Sequence, residues 1–303
     1  MKTKLFLRLR KEKYLQMMAL LGIAWIIVFN YAPMYGIIIA FKDYSIIKKI
    51  SEVDWVGLAW FKEVFTDENF IPIMRNTLAI SFMKLIIGFP LPILFAIMLN
   101  EIRQVKLKRF VQTVSYLPHF LSWVILGGIL MAWLADVGLF NELQTMINPS
   151  HTPINYLAKP KYFWLITVFS DIWKELGWSA IIYLAAISGI DPQMYEAATV
   201  DGATRFQKIW HITLPSIKGT ISILFVLAVA NLLNTNFEQI LVLKNALNAS
   251  MAEVIDTYVY RMGVQSGRFS YATAIGLFKS IVALCLLLTA NKVTKKLTGH
   301  GLY

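Results

Sequence analysis

Long apolar blocks alternate with polar segments along the whole chain. Six blocks are long enough to cross a bilayer, because a spanning helix needs about 20 mostly apolar residues. The predicted spans are residues 17–40, 77–99, 112–135, 163–187, 212–233 and 273–291. The pattern predicts an all-α polytopic membrane protein with six transmembrane helices, forming a single domain over residues 1–303.

Lys and Arg are concentrated in four of the connecting and terminal segments. These are the N-terminal tail (Lys2, Lys4, Arg8, Arg10, Lys11, Lys13), the loop after span two (Arg103, Lys106, Lys108, Arg109), the loop after span four (Arg205, Lys208, Lys218) and the C-terminal tail (Lys292, Lys295, Lys296). Cations next to apolar blocks mark the cytoplasmic side. We therefore expect both termini, the tail 1–14 and the loop 188–211 in the cytoplasm, with a retained first helix.

The composition favours lipid contact and excludes several function classes. Hydrophobic residues make up 57% of the chain and charged residues 16%, with a net charge of +11. Because the cations lie between apolar blocks, they predict membrane orientation and no nucleic-acid partner. The single cysteine, Cys285, is expected to be a buried hydrophobe. No phosphate-binding loop, metal-ligand spacing or hydrolase triad is found, so we expect no enzyme activity, catalytic residue, metal or cofactor on this chain.

Five ionisable residues lie inside predicted spans: Lys84, Asp171, Lys174, Glu175 and Lys279. Each costs roughly 2.5–3.5 kcal/mol at a helix centre, so they are not expected to face lipid. The charged face of span four is predicted to line a water-filled path, with Lys174 neutralising a neighbouring carboxylate; a structural pair between helices is the alternative. Lys84 and Lys279 are expected to snorkel towards the outer surface.

Residues that suit a path for a polar solute follow from depth and side-chain chemistry. The substrate-path candidates are Trp173, Lys174, Glu175, Trp178, Asn231, Asn234 and Asn236. The two tryptophans offer stacking faces, while each asparagine has the alternative of a hydrogen bond between helices, worth about 0.6–2 kcal/mol. Pro90 and Pro92 predict a kink in span two, either beside a cavity or as a packing feature.

The loop after span four has its own helix signals. Asp191 followed by Pro192 predicts a capped helix start, and Gly202 predicts its end. A second short helix is expected over residues 206–209, with Pro215 at the entry to span five. The two helices predict a cytoplasmic knob that either docks on a soluble partner or lies on the membrane surface. Its apolar contacts would be Met194, Tyr195, Ala198 and Phe206, with Glu196, Asp201 and Arg205 at the rim.

The same loop resembles the EAA loop of the membrane subunits of bacterial ABC importers. The matching residues are Glu196-Ala197-Ala198, Gly202, and Ile212-Thr-Leu214-Pro215. In that family the loop is the coupling helix, which docks in a cleft of the ATPase subunit. The resemblance implies an ABC type I importer permease fold and ATPase coupling through Tyr195, Glu196, Ala197, Ala198, Asp201, Gly202, Arg205 and Phe206.

Further runs resemble the branch of carbohydrate-uptake permeases that imports complex oligosaccharides or their uronic-acid derivatives. They are residues 55–61, 177–186, 237–240, 254–261 and 272–280. The resemblance implies a bacterial cytoplasmic-membrane importer for an oligosaccharide. Its partners would be a second, non-identical permease, two ATPase subunits that carry ATP and Mg²⁺, and an extracytoplasmic solute-binding protein.

Two alternatives stay open from the sequence. The same kind of importer would carry a peptide or an organic anion, and a net positive pore would favour an acidic substrate. A stand-alone secondary transporter would need its own ion-coupling site and commonly shows internal repeats, which this chain lacks.

Overall fold

The computed structural model describes residues 12–299 together with 301 and 302. The helices, numbered in chain order, are α1 (Lys13–Phe41), α2 (Ala59–Thr66), α3 (Phe70–Glu101), α4 (Val105–Tyr116), α5 (Trp123–Leu134), α6 (Leu139–Ile147), α7 (Pro160–Ser188), α8 (Pro192–Val200), α9 (Arg205–Ser216), α10 (Lys218–Ala230), α11 (Phe237–Leu243), α12 (Ala249–Ala252), α13 (Ile255–Tyr260) and α14 (Phe269–Thr298). The described residues contain no strand, only an isolated antiparallel bridge between Lys42 and Trp55.

Two compact units are formed. The smaller comprises the described residues up to Phe65 together with Met262–Leu277, and the larger comprises Thr66–Arg261 and the residues from Phe278 onwards. In the smaller unit, the Lys42 ammonium donates to the Ile50 carbonyl at 2.7 Å and the Trp60 indole donates to the Lys42 carbonyl at 3.0 Å. These bonds order the segment that follows α1.

Four helical stretches in the described part of the chain are long and apolar enough to cross a membrane. They are Lys13–Phe41, Phe70–Glu101, Trp123–Ile147 and Phe269–Thr298. The helices α9 and α10 together form a fifth candidate, bent by 62° at their junction. The long helix α7 is not among them, because Asp171, Lys174 and Glu175 interrupt its apolar sequence.

The third predicted span is interrupted, so the expectation of one helix over 112–135 is wrong. After α4, a 3-10 turn covers Leu117–Phe120 and Leu121 adopts an extended backbone. Ser122 then caps α5 by accepting a hydrogen bond from the Ile125 amide at 3.3 Å. Proline lacks an amide proton and serine favours the N-cap position, so Pro118 and Ser122 end one helix and begin another despite the apolar surroundings.

The predicted irregularity in span two takes the form of a wide helical turn. Residues Lys84–Gly88 are π-helical and lead directly into Pro90, which starts the next α-helical stretch at a position where its missing amide proton is tolerated. The helix therefore continues from Phe70 to Glu101 without a chain break.

The long helix α7 lies at the centre of the larger unit. Phe163 and Val168 belong to one apolar cluster, whereas Ala180 and Tyr183 belong to a second one. The single cysteine differs from expectation: Cys285 is exposed on α14, because an apolar helix that faces lipid leaves such side chains uncovered by protein.

Candidate functional site

A cavity of about 420 Å³ lies between α3, α7 and α10 of the larger unit. Its wall is mostly apolar, with a few polar and aromatic groups, which is the usual composition of a site for an organic ligand. Those groups are Ser81, Lys84, Phe89, Asp171, Glu175, Trp178, Ser179, Tyr183, Asn231 and Asn234.

An ion pair joins α3 to α7 in this wall. The Lys84 ammonium lies 3.2 Å from an Asp171 carboxylate oxygen, and both side chains are largely buried. Lys84 also donates to the Gln239 side-chain oxygen at 3.1 Å. The expectation that Lys84 snorkels is therefore wrong, because its partner Asp171 lies on α7. The local neutralisation expected for Lys174 is confirmed with Glu175, whose carboxylate lies 3.5 Å from the Lys174 ammonium.

Gln239 anchors the same network from α11. It is fully buried, and its amide nitrogen donates to the Thr167 carbonyl at 2.7 Å and to the Ser170 hydroxyl at 2.9 Å. Asn236 starts α11 from a left-handed backbone conformation with φ 66°, which asparagine tolerates, and donates to Asp171 at 3.3 Å. Four polar side chains thereby satisfy one another at the depth of the predicted spans.

Lys174 does not line the cavity, and its side chain contacts the 3-10 turn between α4 and α5. Its ammonium donates to the carbonyls of His119 at 2.5 Å and Pro118 at 3.4 Å, and lies 3.5 Å from Glu175. The Glu175 carboxylate lies 2.8 Å from the His119 Nδ1, and the His119 ring stacks on Trp178 with 4.4 Å between ring centroids. Three residues on one face of α7 therefore clamp the 3-10 turn.

The predicted substrate-path residues divide into two groups in the structure. Glu175, Trp178, Asn231 and Asn234 line the cavity. Trp173, Lys174 and Asn236 do not; Trp173 instead packs near Trp133, with 6.4 Å between ring centroids. The cavity also includes Lys84 and Asp171, which sequence analysis identified as intramembrane charges but left out of the candidate set.

The second lysine expected to snorkel also has an internal partner. Lys279 on α14 forms an ion pair with Asp256 on α13. This pair joins two helices of the larger unit, so the snorkelling expectation for Lys279 is wrong. The positions are 23 residues apart in the sequence, and no local spacing rule predicts such a pair.

The loop between α7 and α10 begins as its sequence predicts. The Asp191 side chain accepts a hydrogen bond from the Gln193 amide at 2.9 Å, and Pro192 occupies the first turn of α8. At the other end, Gly202 has φ 76°, the Gly202 amide donates to the Thr199 carbonyl and the Ala203 amide donates to the Ala198 carbonyl. These two bonds form a Schellman motif, which requires a residue that tolerates positive φ.

The next helix starts three residues after this glycine and is longer than expected. Thr204 and Gln207 form a capping box, and helical structure then continues as α9 to Ser216. Two side-chain bonds fix the loop: the Lys208 ammonium donates to the Thr199 hydroxyl at 2.8 Å, and the Tyr195 and Thr213 hydroxyls lie 2.9 Å apart. The α8–α9 unit is therefore rigid within itself.

The residues predicted for ATPase coupling mostly lie on the surface of this unit. Glu196, Ala197, Asp201, Gly202, Arg205 and Phe206 are exposed, whereas Tyr195 and Ala198 are partly buried. The Tyr195 hydroxyl faces Thr213 of its own chain. Two further large apolar residues, Val200 and Trp210, are 89% and 64% exposed and extend the apolar surface beyond the predicted set.

Known proteins share this sequence and architecture. The chain is 45% identical over its whole length to the polygalacturonan/rhamnogalacturonan transport system permease protein YteP of Bacillus subtilis strain 168, covering 94% of that protein. It is 41% identical to the protein LplB of the same strain over 97% of this chain and 92% of that one. A permease-like chain in the crystal structure of a bacterial alginate ABC transporter, in complex with an alginate pentasaccharide-bound periplasmic protein, superposes with a TM-score of 0.90 at 39% identity and covers 99% of this chain and 100% of that one.

The family assignment follows from the extent of these matches. Residues 88–298, which include the cavity-lining part of α7 and the whole α8–α9 unit, match the family described as the binding-protein-dependent transport system inner membrane component. The relative YteP is named as a transport system permease protein, and the superposed structure belongs to an ABC transporter. This chain belongs to the inner-membrane component family of binding-protein-dependent transport systems and has the ABC type I permease fold.

Proposed function

We propose that the chain is the permease subunit of an ATP-driven importer and forms part of the translocation path for an oligosaccharide. The observation that carries the proposal is the rigid α8–α9 unit. It presents exposed charged and apolar residues at its tip and is linked by Tyr195 and Thr213 to the base of the predicted fifth span. A rigid unit of this kind suits the transfer of a conformational change from a soluble ATPase subunit to the membrane helices.

The proposed topology has six spans and both termini in the cytoplasm. The spans are α1, α3, the interrupted pair α4 and α5, α7, the bent pair α9 and α10, and α14. The cation-rich tail 1–14 and the loop 188–211 lie on the cytoplasmic side of a single permease domain over residues 1–303. Support comes from the distribution of Lys and Arg, which orients membrane proteins of this type.

The proposed assembly contains several other chains. Two ATPase subunits bind ATP and Mg²⁺ and receive the α8–α9 unit. A second, non-identical permease completes the path, and an extracytoplasmic binding protein delivers the cargo. The binding protein in the superposed alginate transporter complex supports this arrangement, as does the family description, which names binding-protein dependence.

The proposed cargo is an oligosaccharide of the acidic polysaccharide type. Support comes from two relatives, whose names specify polygalacturonan or rhamnogalacturonan and alginate. The cavity adds hydroxyl, amide and aromatic groups at Ser81, Trp178, Asn231 and Asn234, which suit sugar hydroxyls and ring faces.

The coupling role is tested with two glycines that share a backbone conformation. Gly202 and Gly299 both have φ 76° and open space around the position of a Cβ. Gly202→Val and Gly299→Val therefore carry a similar backbone cost, on the order of 1–3 kcal/mol. We expect Gly202→Val alone to lower the amount of ATPase subunit that copurifies and the ATP-driven uptake. Equal losses in both variants, or no loss in either, contradict the coupling role.

The cargo is tested separately by uptake into proteoliposomes that contain the complete importer and its binding protein. We expect ATP-dependent accumulation of labelled oligogalacturonate and no accumulation of a peptide of similar size. Accumulation of the peptide alone contradicts the oligosaccharide proposal. Uptake that persists with a hydrolysis-deficient ATPase subunit contradicts ATP coupling and favours a secondary transporter.

A further inference from the structure

A cluster of cations precedes the interrupted third span. Arg103, Lys106, Lys108 and Arg109 lie within seven residues, and the sequence holds no acidic residue from 102 to 135. Among the described residues, none of the four forms an ion pair, and residues 1–11 contain no acidic side chain that would neutralise them. Glu101, the nearest acidic residue in the sequence, is two positions before Arg103 and forms no ion pair with these cations in the part of the chain that the structure describes.

Three of these cations occupy the N-terminal half of α4. The first turn of α4 contains no acidic residue, and Gln104 at its N-cap makes no side-chain capping bond. The helix dipole is positive at this end, so cations there are unfavourable in the isolated helix. An external anion near this end would offset both the side-chain charge and the helix dipole.

An exposed apolar stripe continues from this cluster along one face of α4. Lys106, Phe110, Val114 and Leu117 follow one another at spacings of four, four and three residues, which places them on the same side of the helix. Phe110 is 66%, Val114 53% and Leu117 64% exposed. The stripe therefore has its cation at one end and uncovered apolar side chains at the other.

The opposite face of α4 is packed against the protein. A Cβ added at Gly177 would meet the backbone of Ser115, so α4 and α7 cross in close contact at this point. Val111 packs against the apolar cluster that includes Ala180 and Tyr183. Because one face is buried in this way, the orientation of the stripe is fixed and it cannot turn inward.

We propose that this face of α4 is a binding surface for anionic phospholipids of the bilayer. The phosphate headgroups pair with Arg103, Lys106 and Arg109, while the acyl chains cover Phe110, Val114 and Leu117. A lysine at the head of an apolar stripe extends its charged end to the headgroup level while its stem stays in the apolar region. The continuity of the cations with the apolar stripe selects a lipid over a free phosphate ion, which would use the cations alone.

The proposed lipid-binding face belongs to the helix that precedes the clamped 3-10 turn. The same helix ends at the 3-10 turn that Lys174 and Glu175 of α7 clamp at His119. A lipid bound along α4 therefore stabilises the orientation of the helix that leads into this turn. We expect anionic lipid to raise the thermal stability of the protein as well as to bind.

The test measures lipid retention and stability of the full-length chain, purified with its copurifying partners into nanodiscs. The discs contain phosphatidylcholine alone or phosphatidylcholine with phosphatidylglycerol. The variant R103Q/K106Q/R109Q removes the proposed contacts. The matched control K292Q/K295Q/K296Q removes three exposed cations from the C-terminal end of α14. The charge-preserving variant R103K/K106R/R109K exchanges Lys and Arg, so each of the three positions keeps its positive charge.

We expect only the R103Q/K106Q/R109Q variant to lose phosphatidylglycerol retention. Each cation near an anionic surface contributes roughly a fivefold factor, so R103Q/K106Q/R109Q should retain phosphatidylglycerol about 100-fold less tightly in native mass spectrometry. Its rise in Tm with phosphatidylglycerol should also disappear. The control and the charge-preserving variant should behave as the unaltered chain.

Three results overturn the proposal. One is equal phosphatidylglycerol retention in the R103Q/K106Q/R109Q variant and the unaltered chain. Another is a loss of the same size in the α14 control, which would indicate a general charge effect. The third is protection of Phe110 and Leu117 by a copurifying protein, shown by a cysteine at either position that cross-links to that protein and not to lipid. If the glutamine variant does not fold, failure of R103K/K106R/R109K to retain lipid overturns it independently.

Discussion

Lys84 and Asp171 lie 3.2 Å apart and join α3 to α7 across the wall of the cavity. Each residue alone would be a costly charge within a membrane-spanning helix. Together with Gln239 and Asn236 they form a satisfied polar network. The alternative interpretation of the intramembrane charges, a structural pair between helices, thus holds for this pair, and the same pair also borders the proposed path.

Removing one partner of this pair should be strongly destabilising. We expect Lys84→Met or Asp171→Asn to lower the free energy of unfolding by about 3 kcal/mol, because an unpaired charge stays buried. The double variant K84M/D171N should recover most of that loss. Denaturant unfolding of the full-length chain in detergent measures the effect, and Lys49→Met, which breaks an exposed pair with Glu52, serves as the control. A double variant as unstable as the sum of the single variants contradicts the pairing.

The helix crossing at Gly177 predicts a contrast with another helical glycine. A Cβ at Gly177 would meet the Ser115 backbone, whereas Gly128 has open space. Gly177→Ala should destabilise by roughly 1–3 kcal/mol because backbone atoms must move apart. Gly128→Ala should be neutral or stabilising by up to about 1 kcal/mol, since alanine favours a helix. Thermal unfolding measures both, and similar Tm values for the two variants would refute the close crossing.

Two tryptophans on α7 allow the substrate path to be tested with matched exposure. Trp173 and Trp178 are each 44% exposed, but only Trp178 borders the cavity. Trp178→Ala should raise the KM for uptake of the cargo by about tenfold, as expected for the loss of one stacking contact worth on the order of 1–2 kcal/mol. Trp173→Ala should leave the KM unchanged. A KM that rises equally in both variants would show that the cavity is not the path.

In the proposed coupling role, different residues of the α8–α9 unit would bind the ATPase subunit and transmit its motion. Phe206 is 78% exposed, whereas the Tyr195 hydroxyl contacts Thr213 of its own chain. Phe206→Ala should reduce the amount of ATPase subunit that copurifies. Tyr195→Phe should leave that amount unchanged and reduce the cargo moved per ATP hydrolysed, because it removes a hydrogen bond worth about 0.5–1.5 kcal/mol.

Co-purification together with coupled ATPase and uptake assays distinguishes the two effects. Loss of the ATPase subunit in the Tyr195→Phe variant would assign this side chain to the docking surface instead. Full coupling in the same variant would show that the contact with Thr213 does not transmit the motion.

Local signals predicted the loop between α7 and α10 more accurately than the charges inside the spans. The start at Asp191 and the end at Gly202 depend on residues within one or two turns, and both predictions are confirmed. The partners of Lys84 and Lys279 depend on which helices meet, and periodicity carries no information about that. The break at Ser122 could have been predicted from the sequence. Proline and serine favour helix boundaries, and Pro118 and Ser122 lie within an otherwise apolar run.

The same limit applies to the candidate path. Depth and chemistry selected α7 and the segment after α10, where four of the seven predicted residues do border the cavity. They did not distinguish Glu175 and Trp178, which border the cavity, from Trp173 and Lys174, which do not. That distinction follows from the packing of α7 against α4 and α5, which the sequence does not specify.

The position of Lys174 has an electrostatic consequence for the cargo. Its ammonium is bound to the carbonyls of Pro118 and His119 and does not line the cavity, where the carboxylates and ammonium groups are those of Lys84, Asp171 and Glu175. Because Lys174 lies 3.5 Å from Glu175 and Lys84 pairs with Asp171, the lining has no surplus of positive charge, unlike the net positive pore considered from the sequence. If the cavity is the proposed path, an acidic sugar would gain no attraction from this lining, and the proposed second permease would have to supply the counter-charges.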